Sequence, residues 1–226
     1  MANPLQHTLH RLVESRSRTN PAFNQLFDDY RGYHVVLLAF GGLVELLVVA
    51  FSVFAWRRAG RRTFEQRAYR GFAWLTTVVA LAFAVGLFAN LTTVTNPWPG
   101  FNLLVNQMAD PPPGTQTAKL FTATSDWIES GKSQIPAAVH AAVQHRLSWQ
   151  RPRAIVCAVL AILFVLIDIA LWRHLIERSR TGARQRALTF VGAAAVAVTL
   201  VFTMLAVANA RGAIQPLSIS VLLAGK

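Results

Sequence analysis

The sequence predicts an all-α polytopic membrane protein, a four-transmembrane-helix bundle with short amphipathic helices outside the membrane. Three observations carry that expectation. Of 226 residues, 54% are hydrophobic and only 14% charged, whereas an ordinary soluble domain holds roughly 45–50% and 25%. Four windows of about 19 apolar residues, each long enough to cross roughly 30 Å of hydrocarbon, recur along the chain. The net charge of +12 is also concentrated: 11 of the 22 basic residues fall in the 28 positions 57–70 and 173–186.

The N-terminal segment 1–33 reads as amphipathic and interfacial. Asn3 and Pro4 form a cap and first-turn pair, followed by Leu5, Leu9, Leu12 and Val13 at helical spacing. Asn20 and Pro21 restart the pattern, with Phe23, Leu26, Phe27 and Tyr30 along one side. Two short helices are expected, lying in the interface or against the bundle. No basic region leads directly into an apolar core, so a cleavable signal peptide is not expected and the first span stays in the protein.

The first hairpin, 34–94, comprises spans 34–56 and 71–94. Within lipid an apolar segment must satisfy its own backbone, so these spans are helices. The extramembrane segment 95–153 opens on Pro97, Pro99 and Gly100, which break the second span, and Pro111–Pro113 then form a stiff spacer. Leu120, Phe121, Thr124, Trp127 and Ile128 mark an amphipathic helix ending at Gly131, and a further helix opens at Pro136. Trp98, Trp127 and Trp149 occupy positions expected of interfacial anchors. The second hairpin, 154–209, carries spans 154–172 and 187–209, and residues 210–226 form a tail. The order of span, Trp-Arg, arginine-rich loop with Gln-Arg-Ala, and span occurs twice, an echo that suggests a pair of hairpins.

Orientation follows from the arginines. Arg57, Arg58, Arg61, Arg62, Arg67 and Arg70 occupy one hairpin loop, and Arg173, Arg178, Arg180, Arg184 and Arg186 the other. The positive-inside rule puts both loops in the cytoplasm, and the N-tail, central loop and C-terminus outside it. Arg151 and Arg153, on the outer flank of the third span, oppose this assignment. The plain role of the loop arginines is to set topology on anionic headgroups, and that use leaves no reason to invoke nucleic acid. Nineteen arginines against three lysines, with abundant Ala, Val and Leu, fit a GC-rich bacterial genome and hence a bacterial inner membrane.

Glu45 stands near the middle of the first span, where an ionised group costs about 2.5–3.5 kcal/mol on insertion scales. It must face protein or water, or carry a proton. A titrating site is one reading; a hydrogen bond to Thr76, Thr77, Thr199, Thr203 or a partner subunit is the other. Asp168 lies five residues before Arg173, so headgroups or a nearby arginine are its expected partners. Gly41 and Gly42, Ala82 and Gly86, and Ala193 and Ala197 supply small residues for helix packing, within the bundle or against another protein.

No histidine falls inside a span to bind haem, His140 and His145 are about 140° apart on a helix, and nucleophile, phosphate-loop and paired-carboxylate motifs are absent. The single cysteine, Cys157, excludes an internal disulfide and a cysteine metal cluster. Neither a cofactor nor catalysis is expected.

The layout of amphipathic Leu5-Leu9-Leu12, four spans, two arginine-rich hairpin loops and the Pro111–Pro113 segment resembles small actinobacterial four-span membrane proteins, among them LucB-type accessory subunits of mycobacterial Mce lipid importers. The resemblance spans the whole chain and rests on layout. It implies a non-catalytic subunit of a larger cell-envelope complex, in contact with other integral membrane subunits and membrane lipids. The competing expectation is a subunit of a respiratory or proton-translocating complex in which Glu45 titrates.

Overall fold

The computed structural model describes residues 3–60, 66–178 and 182–224, and within these the side chains of 67, 68, 172, 174–178, 182–191, 193, 194 and 197 lie outside the description. Eight helices follow one another among the described residues: α1 Pro4–Glu14, α2 Pro21–Ala59, α3 Gln66–Thr95, α4 Pro97–Asn106, α5 Gln116–Ser130, α6 Ala137–Arg178, α7 Gly182–Ile214 and α8 Leu217–Leu222. No strand interrupts them there. The helices Pro21–Ala59, Tyr69–Thr95 and Ala137–Leu171 are long and apolar enough to cross a membrane, and Val198–Ile214 is a shorter apolar stretch of α7. The protein is an all-α polytopic membrane protein.

Two compact units make up the chain. The first is built from 1–38, 89–151 and 211–226, and the second from 39–88 and 152–210.

In the first unit, local signals act largely as the sequence predicts. Asn3 caps α1, its Oδ1 accepting the amides of Leu5 and Gln6, with Pro4 in the first turn. Asn96, forced out of the helical region by the following proline, separates α3 from α4. Thr115 caps α5 through the amide of Ala118, and Gly131 ends it at φ +64°, a left-handed conformation that glycine adopts without penalty. Leu5 and Leu9 of α1, Phe23 and Leu26 of α2, Phe101 and Val105 of α4, Phe121 and Ile128 of α5, and Val221 of α8 form one buried core.

Four expectations change. Residues 21–33 are not a separate short helix but the first turns of α2. Likewise the helix expected after Pro136 runs on through Pro152 into the third span as α6, at the cost of one backbone hydrogen bond that a proline cannot donate. Residues 97–106, read as a break, are helical: Pro97 sits where a helix's first amide would be unpaired anyway. Finally, Trp127 is buried in the core rather than anchored at the interface, and Trp98, half-buried, packs against that core. Trp98 lies 4.5 Å from Phe27 between ring centroids, while Trp127 is 3% exposed and donates to the Lys132 carbonyl at 2.8 Å. An indole with a carbonyl to serve can be buried outright.

Side chains of the N-terminal segment stitch the unit together. Gln6 donates to the Val105 carbonyl (3.0 Å), Asn20 to Ile128 (2.6 Å) and Gln25 to Ser133 (2.6 Å). Val105 and Ile128 lie in the last turns of α4 and α5, where carbonyls lack intrahelical partners. Thr8 and Ser125 meet at 3.1 Å between α1 and α5, and Thr8 also donates to Glu129 at 2.9 Å.

In the second unit, Ala55, Phe72 and Ala73 are buried together with Val196 against them. Thr77 links α3 to α2 through Ser52 (2.9 Å) and the Trp56 indole (3.1 Å). Phe164 and Phe202 stack at 4.9 Å. Large aliphatics such as Leu46, Leu81, Val85 and Ile162 are more than half exposed, as lipid-facing side chains are.

Candidate functional site

Glu45 lies on the α2 face that also carries the buried Gly41, Val48 and Ser52, at the i−4, i+3 and i+7 spacing that puts side chains on one face. Its Oε2 is hidden from solvent and has no hydrogen-bond partner among the described residues. The threonines expected to serve it are engaged elsewhere. Thr76 bonds the carbonyls of Phe72 and Ala73, Thr77 that of Ala73, and Thr203 that of Thr199. Thr199 serves the other carboxylate: its hydroxyl donates to Asp168 Oδ2 at 2.5 Å. Asp168 is 8% exposed and Oδ1 has no partner among the described residues. Its described contact is a helix-to-helix hydrogen bond, a partner that its sequence position, which points to headgroups or a nearby arginine, does not name. α6 turns Asp168 toward α7, and sequence distance from Arg173 could not show that.

Of the small residues, Gly41 is buried, and a Cβ there would meet Leu87 Cδ2 at 3.0 Å. Gly42 is half-buried with open space beside it, and Ala82 and Gly86 lie on an exposed face of α3. Ala193 and Ala197 have side chains outside the described residues. Arg57, Arg58, Arg70 and Arg173 are exposed, with Arg58 over the Phe54 ring at 5.4 Å. Arg61, Arg62 and Arg180 lie outside the described residues, as do the side chains of Arg67, Arg178, Arg184 and Arg186.

The first unit contains a cavity of about 260 Å³ that sequence reasoning missed. Tyr30, Tyr33 and His34 form one side, on a single face of α2 just ahead of and at the start of the first span. Gly100, Leu103, Leu104 and Gln107 of α4 form another, and Ser218, Ile219 and Leu223 close it from the C-terminal segment. The spacing of Tyr30, Tyr33 and His34 was a readable signal for the α2 wall. Nothing in the chain order pointed to the C-terminal wall, which arrives from nearly 190 residues away.

Each wall is fixed by a specific contact. Asp29 Oδ2 accepts both the amide and the hydroxyl of Ser218 at 2.8 Å, tying α8 to α2. His34 Nδ1 donates to Asn90 Oδ1 at 2.7 Å. The Tyr30 hydroxyl abuts the backbone of Gly100, where any Cβ would collide with it. Burial pushes the Tyr30 phenol up to about 12, so it stays a neutral donor at ordinary pH.

The Arg211 guanidinium lies 4.5 Å over the Tyr33 ring, with its Nε hidden and unpartnered among the described residues. Arg146 reaches the Ile219 carbonyl at 3.5 Å and Gln150 Oε1 at 3.1 Å. Neither tyrosine hydroxyl makes a hydrogen bond among the described residues.

No family model, curated protein or solved structure matches the chain.

Proposed function

We propose that the chain is a non-catalytic accessory subunit of a larger bacterial envelope complex, of the lipid-importer kind that its layout resembles. The observation that carries this reading is the first unit itself. N-terminal, central and C-terminal segments share one core, which makes a rigid helical module for other subunits to dock on, anchored by the apolar helices. Packing of these three segments together also supports their lying on one side of the inner membrane, with both arginine-rich loops on the cytoplasmic side.

Affinity purification in mild detergent followed by mass spectrometry tests the proposal. Integral membrane proteins should co-purify in fixed stoichiometry. Recovery of a lone, monodisperse chain with an activity of its own would overturn it.

The second reading, proton translocation through Glu45, is favoured by one observation, the hidden and unpartnered Oε2. Glu45→Gln separates the two. An accessory role predicts normal assembly and unchanged activity of the complex, because Gln preserves shape and hydrogen-bonding capacity. Proton coupling predicts normal assembly with activity lost.

A further inference from the structure

We propose that the cavity between α2, α4 and the C-terminal segment binds a long-chain carboxylate, with its head at Tyr33 and its hydrocarbon against Leu104 and Ile219. This inference stands apart from the accessory-subunit reading and is tested on the isolated chain, so either can fail without the other.

Three features select the occupant. The first is apolarity along the walls, where Leu103, Leu104 and Ile219 line the space. Small-molecule sites are typically apolar with a few placed polar groups. The second is the pair of unspent phenol donors on the α2 side. Both hydroxyls are free to donate to an occupant of the cavity, and an anionic oxygen would accept the stronger, charge-assisted kind of hydrogen bond.

The third is charge. Arg211 stacks on Tyr33 and Arg146 reaches the carbonyl of Ile219, so two guanidiniums flank the cavity. The acid beside it, Asp29, already accepts two hydrogen bonds from Ser218. An anionic head is thus complementary, whereas a cationic head meets only repulsion. Size limits the rest: at roughly 30 Å³ per water, 260 Å³ takes the equivalent of about eight or nine waters. That accommodates a carboxylate and the first part of one chain. Leu103, 58% exposed, offers the remainder a way out, and a branched two-chain lipid would fill the space before its headgroup reached Tyr33.

The probe is a diazirine-bearing palmitate added to the full chain in phosphatidylcholine nanodiscs, with the matching palmityl alcohol as neutral control. Expected is saturable crosslinking to peptides containing 30–34 and 100–107. Tyr33→Phe should weaken palmitate binding about tenfold, the loss of one charge-assisted hydrogen bond, and leave the alcohol unaffected. Leu104→Trp should fill the cavity and abolish crosslinking. Leu103→Trp at the exposed rim should reduce it even if the Leu104 variant folds poorly, and hydrogen exchange over 97–130 verifies folding in each.

Non-saturable labelling spread over 39–88 and 152–210 would overturn the site. Equal competition by the alcohol would overturn recognition of the carboxylate. Displacement of palmitate by an equal mole fraction of phosphatidylglycerol would assign the cavity to a phospholipid and overturn the proposed ligand.

Discussion

Phe101→Ala should dismantle the first unit while leaving the second intact. Phe101 is fully buried, with its ring centroid 5.7 Å from that of Phe23, 5.1 Å from Phe27 and 5.3 Å from Tyr30. Removing it deletes a shared neighbour of three aromatic side chains and opens a void that the rigid helices cannot close. Phe-to-Ala changes in packed cores cost about 3–5 kcal/mol, a large share of the 5–15 kcal/mol available to a typical fold. Hydrogen exchange in micelles should show protection lost across α1, α4 and α5 but retained within 39–88 and 152–210. Leu103→Ala, at an exposed position of the same helix, should change little. Equal loss of protection in both units would contradict a separate core.

The second large effect is expected at Asp29. Asp29→Ala strands the amide and hydroxyl of Ser218, which is 2% exposed. Leaving such donors unsatisfied costs about 2 kcal/mol, enough to release α8 from α2. Limited proteolysis should then cut within 214–224 much faster than in the unaltered chain.

The same carboxyl gives a pH dependence whose sign is fixed. Burial raises the Asp29 pKa above its ordinary value, and the Ser218 hydrogen bonds only partly offset this. A carboxyl whose pKa is higher folded than unfolded favours the fold while it holds its proton. That contribution is complete below about pH 4, the unfolded value, and fades as pH rises through the folded value. Docking of α8 should therefore loosen with increasing pH, read as exchange of 217–222 corrected for intrinsic rate. Asp29→Asn, which keeps an acceptor and loses the titration, should flatten the slope.

What was legible in the sequence follows from where the information resides. The apolar stretches, the Asn3 and Gly131 helix ends and the buried face of α1 are local properties, set by hydropathy and by backbone preferences within a few residues. The continuity of α2 and α6 was not legible, because Asn20-Pro21 and Pro136 open helices without saying where they stop. Pro152 looks like a boundary, yet α6 absorbs it. Residue type alone points Trp98 and Trp127 to the interface, whereas the packing of Trp98 depends on Phe23 and Phe27, more than 70 residues away in α2, and Trp127 is buried in the shared core.

The same limit governs the sites. Glu45 and Asp168 were identifiable as polar groups within spans. Which of them receives Thr199 depends on the rotation of α7, and that is set by packing. The cavity had only half its outline in view, the Tyr30-Tyr33-His34 face, because Ser218 reaches Asp29 across 189 positions of chain.

That separation has a consequence for biosynthesis. The first unit cannot close until segment 211–226 has been made, and on the proposed topology Asp29 and Ser218 emerge on the same side of the bilayer. A chain that misses one insertion strands them on opposite sides. The Asp29–Ser218 clasp therefore acts as a parity check, forming only when the number of completed crossings between its two ends is even.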